Sequence, residues 1–309
     1  MTSRVEPLDQ TFLRTRSRVL SFIELMKPEL TGLSVLTTLC GFYLAANGLF
    51  DFWLLVWTGL GTLLIGGGAG ALNQYLERDF DAMMRRTERR PLPSGRVSPN
   101  EALWFGLLIS LAGIILLALA ANFLTAFLGV LTITTYLFLY TPLKRITPLA
   151  TLVGGIPGAI PPVMGWAAAR NEINLPAIVL FAILFFWQIP HFHSLAWVYR
   201  KDYARAGFRM LAVADDDGSR TSREILLCAG ALIPSSFGLT LFGVTGYLYF
   251  VGAAILGAAF LGCGVLFARY SGEAGAPALA RSNLYSRKMF SASLFYLPAL
   301  MFLMAVDKV

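Results

Sequence analysis

Residues 53–81 read WLLVWTGLGTLLIGGGAGALNQYLERDFD. No charged side chain occurs between Trp53 and Tyr75. As an α-helix this run is about 34 Å long, enough to cross the ~30 Å hydrocarbon core of a bilayer. Its apolar residues are continuous and do not alternate with polar ones, so it reads as a helix and not as a barrel strand. Its end is abruptly polar, with Glu77, Arg78, Asp79 and Asp81 in close succession. A membrane-spanning helix whose charges gather at one end therefore sets the fold class and points to where chemistry should lie.

The rest of the chain follows this pattern. Of 309 residues, 56% are hydrophobic and only 14% charged, against about 25% charged in a soluble domain. Most of the surface must face something other than water. Candidate spans run over 30–48, 53–75, 102–121, 124–141, 147–168, 175–198, 225–245, 249–268 and 289–306. The third and fourth are separated only by Ala121, Asn122 and Phe123. A tight hairpin there gives an all-α, polytopic bundle of nine transmembrane helices.

Charge orients the bundle. All but Arg170 and Lys308 of the 25 Lys and Arg fall on one side, with the long loops 78–101, 199–224 and 269–288. The positive-inside rule then places the N-terminus in the cytoplasm and the C-terminus outside. Connections on the other side, near Asn47–Gly48 and Gly246–Tyr247, are very short. Residues 1–27 lack the features of a signal peptide. A mitochondrial presequence is a competing reading, but Thr11–Lys27 mixes apolar residues with Arg14, Arg16, Arg18 and Lys27 and suits an amphipathic segment on the cytoplasmic surface. Cys40, Cys228 and Cys263 each lie in an apolar stretch without metal-ligand spacing and read as small core residues.

At the end of the second span, Asn73, Glu77 and Asp81 are spaced i, i+4, i+8 and share one helix face, about 6 Å apart per step. Asp79 is out of phase. Three stacked oxygen donors suit a hard cation, and Mg²⁺ prefers a few carboxylates with water and phosphate oxygens. Arg85, Arg86, Arg89, Arg90 and Arg96 follow, and arginine is suited to phosphate. Together they suggest a Mg²⁺-bound diphosphate whose tail lies in the bilayer. The bland alternative is a helix end whose acids pair with neighbouring arginines in water. The depth of Asn73 and Glu77 argues against it, because polar groups at membrane depth are a functional hypothesis by default.

The sixth span ends FFWQIPHFHSLAWVYRKDY over 185–203 and contains both histidines of the chain. His191 and His193 point about 200° apart on a helix and cannot share a site unless Pro190 distorts the turn. His191 and Asp202, eleven residues apart, return to nearly one face. A neutral histidine here can be a haem ligand, a proton carrier or a packing residue. Asp202, with Lys201, Arg205 and Arg209 near it, repeats the first acidic site on a smaller scale. Asp215, Asp216 and Asp217 precede Gly218 and Ser219 and read as a solvated turn.

The segment Asn73–Gly95, with its RPLPSG tail over 90–95, resembles the first aspartate-rich motif of the UbiA-type intramembrane prenyltransferases. More narrowly, NQYLE over 73–77 resembles the protohaem IX farnesyltransferases (haem O synthases), in which glutamate stands in mid-motif. YTPLKR over 140–145, GIPGAIPPVMGW over 155–166, WQIPHF over 187–192, DYARAGFRML over 202–211 and the 288–298 segment fit the same group, so the likeness covers nearly all of the chain after residue 25.

The resemblance implies nine helices around a central cavity open to the cytoplasmic side, with 28–309 as the intramembrane prenyltransferase domain. It implies farnesyl diphosphate and haem B as substrates, Mg²⁺ as cofactor, the lipid bilayer as surroundings and no nucleic-acid partner. It also implies a bacterial inner membrane and a haem A synthase downstream. Asn73, Glu77, Asp81 and Asp202 are then the catalytic and metal-holding residues. Arg85, Arg89, Arg90, Lys144 and Arg145 are the diphosphate-binding ones, and His191, Trp187 and Tyr199 contact the haem. Tyr199 stands where many relatives carry aspartate, and position 193 varies within the subfamily, which favours His191. Two rivals are a different aromatic acceptor and a secondary transporter. The glutamate-centred motif speaks against the first; the gathering of polar residues at one face speaks against the second.

Overall fold

A computed structural model describes residues 18–46, 48, 50–271 and 276–309, with backbone alone for 276–280. Residues 1–17, Asn47, Leu49 and 272–275, on which parts of the amphipathic segment, one short connection and the last long loop fall, lie outside the described residues. The long helices are α1 (Pro28–Ala45), α2 (Phe52–Asp81), α3 (Pro99–Ala120), α4 (Phe123–Thr134), α5 (Ala150–Arg170), α6 (Leu175–Val198), α7 (Ser219–Leu241), α8 (Tyr247–Ser271) and α9 (Ala276–Val306). Among the described residues there is no strand, only an isolated bridge between Thr245 and Lys308.

Among the described residues eight helices, α2 to α9, are long and apolar enough to cross a membrane, α4 counting on to Leu143 and α9 from Arg281. The exception is α1, whose 18 residues include Glu29, Thr31, Ser34, Thr37 and Thr38. Its hydroxyls are not wasted on lipid: Thr31, Ser34 and Thr37 line a cavity, and Thr38 donates to the Pro161 carbonyl at 3.0 Å. Composition alone therefore supports this span least, because its polar face looks into the protein.

The α3–α4 turn is a tight hairpin. Asn122 caps α4 by accepting from the Thr125 N–H at 2.8 Å, and its amide donates to the Ala167 carbonyl of α5 at 2.8 Å. Helix α3 opens with a capping box formed by Ser98 and Glu101. Small residues let helices approach where the hydrophobic effect cannot drive them together. A Cβ on Gly165 of α5 would lie 1.8 Å from the Thr38 carbonyl oxygen of α1, and one on Gly41 would lie 2.1 Å from the Pro162 oxygen. Gly68 of α2 meets Ser110 of α3 in the same way, at 2.0 Å.

The described part of the N-terminal segment does more than rest on a membrane surface. Residues 18–25 are helical, and Leu25 is fully buried against Ala71, Leu92, Val97 and Ala102. The Gln74 amide donates to the Glu24 and Leu25 carbonyls at 3.1 Å, and Arg96 pairs with Glu24 at 2.8 Å. Leu25 and Phe22 thus find protein at the α2–α3 end, while Val19, Leu20 and Ile23 stay exposed.

At the opposite end, Arg170 and Lys308 cap the same helix. Arg170 Nε donates to the Ala45 carbonyl at 2.8 Å, and Lys308 Nζ to the Tyr43 carbonyl at 2.6 Å and to that of Ala46. These last carbonyls of α1 carry the negative end of its dipole, which cations stabilise. The two exceptions to the charge asymmetry are therefore accounted for by local structure.

Candidate active site

Helix α2 remains regular to Asp81, so the predicted face exists. Asn73, Glu77 and Asp81 are 0%, 6% and 1% exposed, whereas Asp79 points outward beside Arg78. Each buried oxygen donor meets a cation. Lys27 Nζ bonds Asn73 Oδ1, and the Asn73 amide donates to Thr141 Oγ1 at 3.0 Å. Lys144 Nζ donates to Glu77 Oε1 at 2.8 Å. Arg90 forms a fork on Asp81, with Nη1 at 2.9 and 2.8 Å from the two carboxylate oxygens.

Only one partner, Arg90, is among the arginines that follow the helix, and the carboxylate it meets is buried. The three arrive from the residue before α1, from the chain after α4, and from the loop after α2. Lys27 was not singled out by the sequence, which showed it only as the last charge of an amphipathic run. Its backbone is left-handed at φ 51°, just before Pro28, a conformation that costs a non-glycine residue about 1–2 kcal/mol. Burial, and after it the charge of Arg90, pushes its ammonium down to about 7. Burial also opposes the charge on Lys144, yet Glu77, Tyr140 and Tyr136 hold that ammonium above the usual lysine range.

Three loops converge at this end. Arg86 donates to the Tyr203 hydroxyl at 3.0 Å and lies over the Tyr199 ring at 5.3 Å. Arg145 sits 4.2 Å above Phe80, and the Arg209 N–H donates to the Lys144 carbonyl at 2.8 Å. Arg85 and Arg89 are exposed at the same rim. Asp202 pairs with Arg205 at 3.4 Å on the short helix Arg200–Arg205, which the Arg86–Tyr203 contact ties to the first loop. Helix α6 ends at Val198, so the expected common face of His191 and Asp202 is broken by the turn at Tyr199.

Below this rim lies a cavity of about 150 Å³, lined among others by Lys27, Thr31, Gly66, Tyr136, Tyr140 and His191. Both tyrosines come from the π-helical turn Thr135–Tyr140 that ends α4, a distortion frequent at functional sites. Their rings are 5.6 Å apart, and Lys144 sits 4.4 Å over Tyr140. Trp187 and His191 line it as well. Tyr199 does not join them and stays at the rim under Arg86.

The histidines diverge as their spacing predicts. His191 faces α9, with Nδ1 2.8 Å from Ser293 Oγ, while His193 faces α7, with Nε2 2.7 Å from Glu224. Asp215 departs from the solvated-turn reading. It is 5% exposed and accepts from the Thr221 N–H at 2.7 Å, capping the first turn of α7. The three cysteines are free thiols. Among the described residues no three His, Cys, Asp or Glu side chains cluster as a metal site. Two carboxylates and an amide oxygen nevertheless fit Mg²⁺ that brings phosphate oxygens of its own.

The profile of the UbiA prenyltransferase family matches residues 34–294. Among similar proteins, a protoheme IX farnesyltransferase of Solibacter usitatus is 46% identical over 296 residues, covering 93% of this chain and 98% of its own. One from Koribacter versatilis is 41% identical over 311 residues, covering 100% and 99%. In fold the chain is similar to the digeranylgeranylglyceryl phosphate synthase structure (TM-score 0.75, 15% identity, 94% and 99% covered). It is also similar to a UbiA homologue from Archaeoglobus fulgidus bound to GPP and Mg²⁺ (TM-score 0.62, 12% identity, 90% and 99% covered).

Proposed function

The chain belongs to the UbiA prenyltransferase family, and from that premise we propose that it transfers the farnesyl group of farnesyl diphosphate to a vinyl group of haem B, adding water and giving haem O and diphosphate. It is a multi-pass membrane enzyme of the prenyltransferase class. One observation carries the reading: Asn73, Glu77 and Asp81 are each held by a basic side chain, and one of these, Lys27, lines the cavity that Trp187 and His191 also line.

Asn73, Glu77 and Asp81 would hold Mg²⁺, with Asp202 as the acid of the facing loop. When bound, the ion supplies positive charge against the leaving diphosphate. Lys27, Lys144 and Arg90 are already in place, and they can turn from the carboxylates to the phosphate oxygens as substrate arrives. Arg85, Arg89 and Arg145 extend this field along the rim. As the allylic C–O bond breaks, the preorganised cations stabilise the charge that develops on oxygen. The farnesyl end lies deeper, where the Tyr136 and Tyr140 ring faces can stabilise an allylic cation and the walls keep out bulk water. Haem B approaches the Trp187–His191 wall, its vinyl group toward C1 of the farnesyl chain.

In this reading α1 crosses the membrane as a ninth span, the rim faces the cytoplasm of a bacterial cell across its inner membrane, and the C-terminus lies outside. The hydroxyethylfarnesyl haem would be consumed by a haem A synthase. The test is incubation of purified protein with farnesyl diphosphate, haem B and Mg²⁺, followed by mass analysis of extracted haems. A farnesylated, hydrated haem and free diphosphate are expected; unchanged haem B would overturn the reading.

A further inference from the structure

The contacts of His191 point to one free ring nitrogen. The Ser293 hydroxyl donates its one proton to the Phe290 carbonyl at 2.5 Å. With its proton there, its oxygen, 2.8 Å from His191 Nδ1, is free to accept, and in that tautomer Nδ1 carries the ring proton while Nε2 keeps its lone pair. Ser293 is itself fixed, because its carbonyl accepts from the Trp187 indole N–H at 2.9 Å. The imidazole faces are covered by Trp187, with centroids 5.3 Å apart, and by Phe290 at 4.8 Å. Its Nε2 edge is what remains for the cavity that His191 lines.

One turn earlier on α6, Gln188 lines the same cavity. At i and i+3 the two side chains are neighbours on one helix face. The Gln188 amide nitrogen is committed to the Gly155 carbonyl at 2.7 Å, which leaves Oε1 as an acceptor. This oxygen lies across Gly158, where a Cβ would come within 2.1 Å of it. Two acceptors on one helix face match the two hydrogens of a water molecule.

Resting on the farnesyl-transfer reading above, we propose that Gln188 Oε1 and His191 Nε2 hold the water that is added to the haem side chain, and that His191 is the base that takes its proton. The diphosphate leaves with the electron pair of the C–O bond, and the vinyl π pair forms the new C–C bond to farnesyl C1. The cation left on the carbon beside the porphyrin accepts a lone pair from the held water. The oxonium proton passes to Nε2, and the imidazolium later returns it to the departed diphosphate. Capture by water is reversible until that proton leaves, so without the base the cation loses a C–H proton instead and gives an alkene. Ser293 acts through His191 and is a positioning residue. In this arrangement the vinyl edge of the haem, and not its iron, meets His191.

The readout is the ratio of hydrated adduct to the adduct lighter by one water, measured by mass on haems from the purified enzyme, so it does not depend on overall rate. His191→Gln should lower that ratio by roughly 10²-fold, the low end of general-base effects. Gln188→Leu and Ser293→Ala should lower it less, and Ser293→Thr should restore it. Ser293→Ala removes a single oxygen and keeps the test open if His191→Gln does not fold. An unchanged ratio in the variants, with an altered haem absorbance, would make His191 an iron ligand and overturn the proposal. Absence of any adduct from the unaltered enzyme would instead overturn the farnesyl-transfer reading.

Discussion

Removing Arg90 while leaving Asp81 in place should separate stability from catalysis. The Asp81 side chain is 1% exposed and Arg90 24%, and both carboxylate oxygens accept from one guanidinium nitrogen, at 2.9 and 2.8 Å. Breaking a buried pair from one side typically costs about 3–5 kcal/mol, because the surviving charge is left unpaired in a medium of low polarity. The loss should lie near the low end, since the rim admits some water. At roughly 2–4 °C per kcal/mol for larger domains, Arg90→Ala should lower the melting midpoint in detergent by about 10 °C. Replacing Asp81 by Asn as well removes the orphaned charge and should recover most of that midpoint, yet the double variant should still make no haem O. The assay is a thermal melt at fixed heating rate, because such unfolding is governed by rate. A wild-type midpoint for Arg90→Ala, or a double variant that melts as low as the single, would refute the reasoning.

Glu77→Gln and Asp81→Asn should each abolish product formation while the protein still purifies as a folded species; full activity in either would remove that residue from the metal-holding set. Gly165→Ala puts a carbon where the Thr38 oxygen leaves 1.8 Å, so α1 and α5 must separate. It should cost about 3 kcal/mol or more, at or above the usual overpacking range, and lower the yield of folded protein. A reporter enzyme that works only outside the cytoplasm should be active when fused after Val309 and silent in the loop at Glu88; the reverse pattern would invert the topology.

The long apolar runs and the lopsided placement of Lys and Arg were legible in the sequence because a bilayer imposes a fixed thickness and a charge asymmetry on each helix separately. The face of Asn73, Glu77 and Asp81 was legible too, since α2 stays regular to its end and helical spacing is a local property. The divergence of His191 and His193 followed from the same arithmetic. That arithmetic failed for His191 and Asp202, because the turn at Tyr199 breaks the helix between them.

What the sequence by itself determined was a polytopic helical protein whose acidic helix end and arginines gather at one face. Only the tertiary structure decided which cation holds each acid. Lys27, Lys144 and Arg90 lie 46, 67 and 9 residues from their partners, and no local period relates such positions. The same holds for Ser293, 102 residues from His191, whose hydroxyl meets Nδ1 of the ring. Helix periodicity tells which way a side chain leaves its own axis. What it meets there depends on how glycine-lined helices such as α1 and α5 cross, and that is decided by packing over the whole bundle.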